Sequence, residues 1–188
     1  MAKRVIMGVD PGLTRCGIAV IEAAESRKVA FRFVDTVRAP LDWSLERRIG
    51  HIAEDLERNI KLFKPDVIAI ERVFAQANLR SVMGVAQISG VLLYLANKYS
   101  IPVHMHTPSE VKAAVTGSGR AAKTQIGTAV ARILELSEIP KPADSADALA
   151  IAITQAWRGA PLANTGELTK AQAAWLKAER ASKSKPKV

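Results

Sequence analysis

Two nearly unbroken apolar runs, residues 5–10 and 16–22, flank the tripeptide Asp10-Pro11-Gly12. Pro-Gly is strong turn punctuation, so the chain must reverse there. Strands that are apolar on both faces belong in the middle of a sheet with layers on either side. A third segment alternates Val29, Phe31 and Phe33 with Lys28, Ala30 and Arg32, the period of a half-exposed strand. Three strands joined by short links predict an antiparallel meander at the start of the chain.

Helical spacing follows. Leu45, Ile49, Ile52, Leu56, Ile60 and Phe63 recur every three or four residues, with Ser44 placed to cap and Pro65 to terminate. Residues 67–70 read as a short buried strand that ends at Glu71. A long helix is expected over 78–98, a strand over 102–106, and a short helix over 108–115. Gly117-Ser118-Gly119-Arg120 reads as a loop, and residues 124–136 as a helix. Pro140 and Pro142 break the chain before a last apolar helix over 144–157. This order predicts an α/β fold with a mixed sheet. Residues 1–160 form the expected domain. Residues 161–188 form a basic, mostly disordered tail, with a weak helix over 172–180 around Trp175 and disorder over 182–188.

Size and composition narrow the function classes. The 188 residues suffice for one substantial core, and 48% are hydrophobic. No apolar run approaches the ~20 residues of a membrane span. The opening MAKRVIMGVDPG reads as a strand rather than an export signal. A single cysteine, Cys16, excludes an internal disulfide and a thiolate zinc cage, and it reads as a small core residue in a reducing compartment, the cytoplasm. Net charge is +9, but the tail from Leu162 carries six basic and two acidic residues. The remainder is only mildly basic. Charge alone therefore fits a nucleic acid, an anionic membrane or plain solubility.

Four carboxylates stand at the edges of apolar segments. Asp10 and Glu71 each end an apolar strand, and Asp144 and Asp147 occupy the first turn of the last helix. Each has an ordinary reading taken singly: a turn residue, a surface ion pair, a cap or a charge favoured by the helix dipole. Together they flank segments that should share one core. Like charges gathered this way raise one another's pKa. Hard divalent cations such as Mg²⁺ or Mn²⁺ relieve that repulsion and favour oxygen ligands. Two of them can activate water and stabilise a leaving oxygen at a phosphodiester. The cluster thus points to phosphoryl transfer on a polyanion.

GVDPGLTRCGIAV, IAIERVF and PADSADALAIAI, in that order and spacing, resemble the RuvC family of bacterial Holliday-junction resolvases. The resemblance spans about residues 3–157. It implies a ribonuclease H-like fold with a five-stranded mixed sheet flanked by helices. It also implies a homodimer and paired, metal-dependent nicks in four-way DNA that leave 5′-phosphate and 3′-hydroxyl ends. Asp10, Glu71, Asp144 and Asp147 match the family's metal-binding carboxylates, for two Mg²⁺ ions or Mn²⁺ in their place. Lys112 and Lys123 match its substrate-binding stretch, with Lys123 also near the reacting phosphate. Phe74 is similar to an aromatic that family members press against bases, and Arg80 is a candidate phosphate contact. A link to the RuvA–RuvB branch-migration complex is implied in the same way. The tail departs from the family pattern, although its lysines (170, 177, 183, 185 and 187) could add affinity for DNA.

Other residues invite weaker readings. His104 and His106 alternate on one strand face but lack an evident third metal ligand. His51 should be solvated and Trp157 packed at a helix end. Met83, Val85, Ile88 and Leu92 offer the long helix as a dimer surface. Three rival functions remain at this point: a phosphotransferase of the actin and sugar-kinase type, a non-catalytic junction-binding module, and a ribonuclease H-like nuclease acting on RNA or other branched DNA.

Overall fold

The computed structural model describes residues 3–24, 27–72 and 79–158, the side chains of 79–81 excepted. Phe74 and the Arg80 side chain lie outside this set, as do the expected tail helix, the disordered end and the tail lysines. Five strands and five helices are described. They run β1 (Arg4–Asp10), β2 (Arg15–Ala23), β3 (Val29–Arg38), α1 (Leu45–Phe63), β4 (Val67–Glu71), α2 (Leu79–Lys98), β5 (Val103–His106), α3 (Pro108–Thr116), α4 (Lys123–Ile133) and α5 (Ala143–Arg158).

The sheet order is β3-β2-β1-β4-β5. β1, β2 and β3 form the antiparallel meander, whereas β4 pairs parallel to β1 and β5 parallel to β4. The sheet is therefore mixed, and the apolar strands β1 and β4 lie inside it. Side chains alternate across the pleat. Met7, Val9, Ile68 and Ile70 enter one core with Ile52, Leu56 and Ile60 of α1 and Ile88 and Leu92 of α2. Ile6, Val67 and Ala69 enter a second core with Val115 of α3, Val130 of α4 and Leu149 of α5. Helices on both faces explain why the central strands are apolar on both sides.

The structure extends or corrects several expectations. β3 runs five residues beyond Phe33, to Arg38. Its polar end is recruited by β2, with Arg15 opposite Arg38 and Gly17 opposite Thr36. Ser44 is the N-cap of α1, but its side chain makes no cap bond to the backbone. It bonds the Glu46 carboxylate instead, which holds that group below its usual pKa. α4 stops at Ile133, because the chain turns left-handed at Glu135 (φ 54°) and Leu136 N–H donates to Ala131 O at 2.8 Å. Ile88 and Leu92 are fully buried in the protein's own core, so they cannot serve a dimer surface. Met83, Leu93 and Tyr94 are the exposed large apolar residues of α2 among the described side chains. Trp157 does close a helix end, its Nε1–H donating to Arg27 O at 2.9 Å. His51 is about one-third exposed, with Asp55 at 3.9 Å and the Trp43 ring against its edge.

α5 reaches the sheet through two glycines. A Cβ on Gly8 would overlap the Ala148 carbonyl and the Ala152 backbone, and one on Gly17 would overlap the Asp144 carbonyl. These are backbone obstacles, which cannot swing aside. Gly17→Ala should therefore destabilise the protein by about 2–3 kcal/mol through overpacking. Gly50, inside α1, has nothing within 4 Å of its missing Cβ. Gly50→Ala should stabilise by roughly 0.5–1 kcal/mol through helix propensity alone. Urea unfolding of both variants checks the pair. Equal stabilities would contradict the close helix–sheet contact.

Candidate metal-dependent active site

The pleat sets the first two carboxylates. Gly8 and Asp10 of β1 point to the α5 face, and the parallel register Val9–Ile70 carries on to place Glu71 beside Asp10. Asp10 pairs across the antiparallel ladder with Gly17. Gly17 in turn lies beneath the Asp144 carbonyl. The absence of two side chains thus lets the first turn of α5 settle next to the end of β1. Asp144 and Asp147, three residues apart, arrive together.

Electrostatics records the convergence. Burial first, then the charges of Asp147, Glu71 and Asp144, push the Asp10 carboxyl up to about 7, against the pull of Lys123. Glu71 is raised by burial and by Asp147, and is opposed by Lys123 and Lys112. Asp147 is raised chiefly by burial, with Lys123 and Lys112 opposing. All four carboxylates and both lysines named from the sequence therefore act on one region. Lys123 Nζ stands 3.5 Å from Asp147 Oδ2. Asp144 Oδ2 meets Arg15 Nε at 3.2 Å.

These two ion pairs each engage one acid of the last helix. Among the described residues, no three carboxylates are gathered tightly enough to form a ready-made metal cage. The donor set still suits a hard cation: all oxygen, half-buried and mutually repelling. An Asp10 carboxyl displaced to about 7 is what such a cation would relieve.

Two openings adjoin the cluster. One, of about 220 Å³, is bounded by Glu71, Asp147, Lys112 and Lys123. The other, of about 700 Å³, runs from Asp10 and Asp144 past Arg15 and Arg48. Sequence reasoning passed over both arginines. Basic residues next to turns are common, and neither sits in a periodic pattern that singles it out. It also passed over Gly8 and Gly17, although glycine inside an apolar strand is a signal of close backbone approach.

Two other reactive groups are enclosed in the core. Cys16 is fully buried, and burial pushes its thiol up to about 12. His106 is buried, with Nε2 2.8 Å from Gln155 Oε1. No described helix is long and apolar enough to cross a membrane.

Comparison with known proteins shows the family. Residues 6–155 match the family model for crossover junction endodeoxyribonuclease RuvC. A protein of that name from Leifsonia xyli is 48% identical, with 94% of this chain and 92% of the relative covered. One from a Mycobacterium species (strain KMS) is 55% identical over 84% of this chain and 85% of its own length. Among solved structures, Thermus thermophilus RuvC in complex with a Holliday junction substrate superimposes with a TM-score of 0.78 at 32% identity, covering 82% of this chain and 94% of that one. The yeast mitochondrial Holliday junction resolvase shares the fold at a TM-score of 0.57 and 14% identity, covering 80% and 78%. The chain belongs to the RuvC family of crossover junction endodeoxyribonucleases and has its ribonuclease H-like fold.

Proposed function

We propose that this protein resolves four-way DNA junctions by hydrolysing phosphodiesters at the Asp10 cluster, during recombination and repair. The observation that carries this reading is the displaced Asp10 carboxyl. Three other acids crowd a group at the end of a core strand, an arrangement that serves no purpose in a binding module for a polyanion. Asp10, Glu71, Asp144 and Asp147 would hold the cation, with Mg²⁺ as the first choice and Mn²⁺ as a substitute, two per site. When bound, such cations activate water and stabilise the leaving oxygen of an in-line displacement. Asp10, central to the cluster, would be their principal ligand. Lys123 lies within reach of Asp147 and of a phosphate above it, so it offsets charge that grows on the phosphoryl oxygens. Lys112, on the same small opening, anchors the strand. Phe74 and Arg80 remain candidates for base and phosphate contact. The cut leaves 5′-phosphate and 3′-hydroxyl ends.

One cluster cuts one strand, so paired nicks require two copies. A two-fold homodimer matches the symmetry of the junction. Met83, Leu93 and Tyr94, exposed on α2, are its proposed contact. The cytoplasm is the proposed setting, with RuvA–RuvB the proposed companion at the junction.

Incubation with a synthetic four-way junction and a matching linear duplex tests the reading directly. Paired nicks in the junction alone are expected with Mg²⁺, and none with excess EDTA. Asp10→Asn should keep junction affinity within about threefold and lose at least ~10³-fold in cutting. Cutting that survives EDTA would refute the metal role.

Lys123→Ala should lower turnover by ~10²-fold while affinity falls far less. Single-turnover rates and binding titrations separate the two, and equal losses would reduce Lys123 to an anchor.

The metal-free protein should also show a pH signature. Folded Asp10 holds its proton up to about pH 7, whereas the unfolded group, at the ordinary 3.8, releases it far earlier. Between those values the folded state binds more protons, so this group's contribution to stability falls as pH rises. The penalty is complete above pH 7 and absent below about 4. Asp10→Asn should thus stabilise the metal-free protein by on the order of 2 kcal/mol at pH 8, with the gain vanishing near pH 4. Thermal melts at both pH values measure it. A gain independent of pH would show that repulsion is not its source.

A further inference from the structure

The 700 Å³ cleft extends well past the carboxylates. Asp10 and Asp144 close one end, while Arg15, Arg48 and Lys123 give its walls positive charge. Leu13, Leu41 and Val85 supply apolar lining that suits the face of a deoxyribose. This pattern fits a single nucleic-acid strand better than a small anion.

Arg48 is the unusual member. It stands in the first turn of α1, and its Nη2 donates to Thr14 Oγ1 at 2.8 Å. Its Nε–H is buried and has no acceptor among the described residues. A guanidinium has five N–H donors in a fixed fork, and an unpaired buried donor costs about 1–3 kcal/mol. That cost is not explained by a need to hold the Asp10–Arg15 loop. Ala39 N–H already fixes Thr14 O at 3.0 Å, and Arg15 is held in register opposite Arg38.

We propose that Arg48, with Arg15 beside it, seats the phosphodiester neighbouring the one that is cut. The inference rests on the nuclease reading above. A phosphate oxygen in the cleft that Arg48 lines accepts from its guanidinium fork. Thr14 belongs to the same loop as Asp10, so the bond to Arg48 sets the spacing between the seated phosphate and the carboxylates. Arg15, paired with Asp144 when the carboxylates are bare, turns to the strand once their charge is neutralised. Arg48 is thus a positioning residue, and its action is on the register of the strand.

The test uses the full chain with Asp10→Asn, so that no strand is cut, and a synthetic four-way junction titrated over a salt series in Mg²⁺. Removing one phosphate contact lowers the slope of log K against log salt by about 1. Arg48→Gln and Arg48→Met should both show this and bind about tenfold more weakly at moderate salt. Arg48→Lys should restore the slope but not the whole affinity, since it keeps the charge and loses the fork. An unchanged slope in either neutral variant would overturn the proposal. So would both melting far below the parent protein, which would make Arg48 a structural residue. A parent protein that ignores the junction would sink the nuclease reading and this inference with it, whereas a parent that binds beside variants with its slope sinks this inference alone.

Discussion

The site depends on how closely α5 lies against β1 and β2. A helix normally stands off a sheet by the thickness of its side chains. Here Gly8 and Gly17 remove that thickness on the sheet, and Ala148 and Ala152 remove it on the helix. The backbone of Asp144 comes to rest directly above Gly17, the ladder partner of Asp10. Acids separated by more than 130 residues in sequence become neighbours because four positions carry almost no side chain. Any bulk there would move the first turn of α5, and with it two of the four carboxylates.

Closeness creates an electrostatic problem that the metal-free protein answers with its own cations. Arg15 takes Asp144 and Lys123 takes Asp147, while Asp10, innermost, is left to rise toward neutral pH. These basic groups do two jobs in sequence. Before cations arrive they limit repulsion. On the proposed reading, a bound cation would free them to face a phosphate, which carries the same sign of charge as the carboxylates they left.

Much of this was legible in the sequence, for reasons specific to each part. β1, β2 and β4 read clearly because strands buried on both faces have no polar positions to confuse the period. α1 read clearly because its apolar stripe is regular. The polar end of β3 did not, since Asp35, Thr36 and Arg38 are held in the sheet by pairing with β2 rather than by their own propensity. Asp10 and Glu71 stood out as acids ending apolar strands. Ile88 and Leu92 of α2 were misread as surface residues, because a helix with apolar residues all round does not reveal from sequence which side the core takes. Arg15 and Arg48 gave no signal. What marks them is a partner in space, Asp144 for one and Thr14 for the other.

The two arginines also show why one end of this sheet can hold both a reaction centre and a strand-binding track. The β1–β2 loop carries Asp10 at its start and Thr14 and Arg15 at its finish, with Pro11 and Gly12 forcing the reversal between them. The proposed metal-binding acid and the proposed phosphate-facing base are therefore fixed by the same few backbone bonds. The loop is braced by Ala39, and the Arg48 guanidinium is bonded to it at Thr14. Rigid spacing of this kind favours one phosphodiester register over its neighbours. A nuclease that must cut opposed strands at matching points needs such a register at every cut.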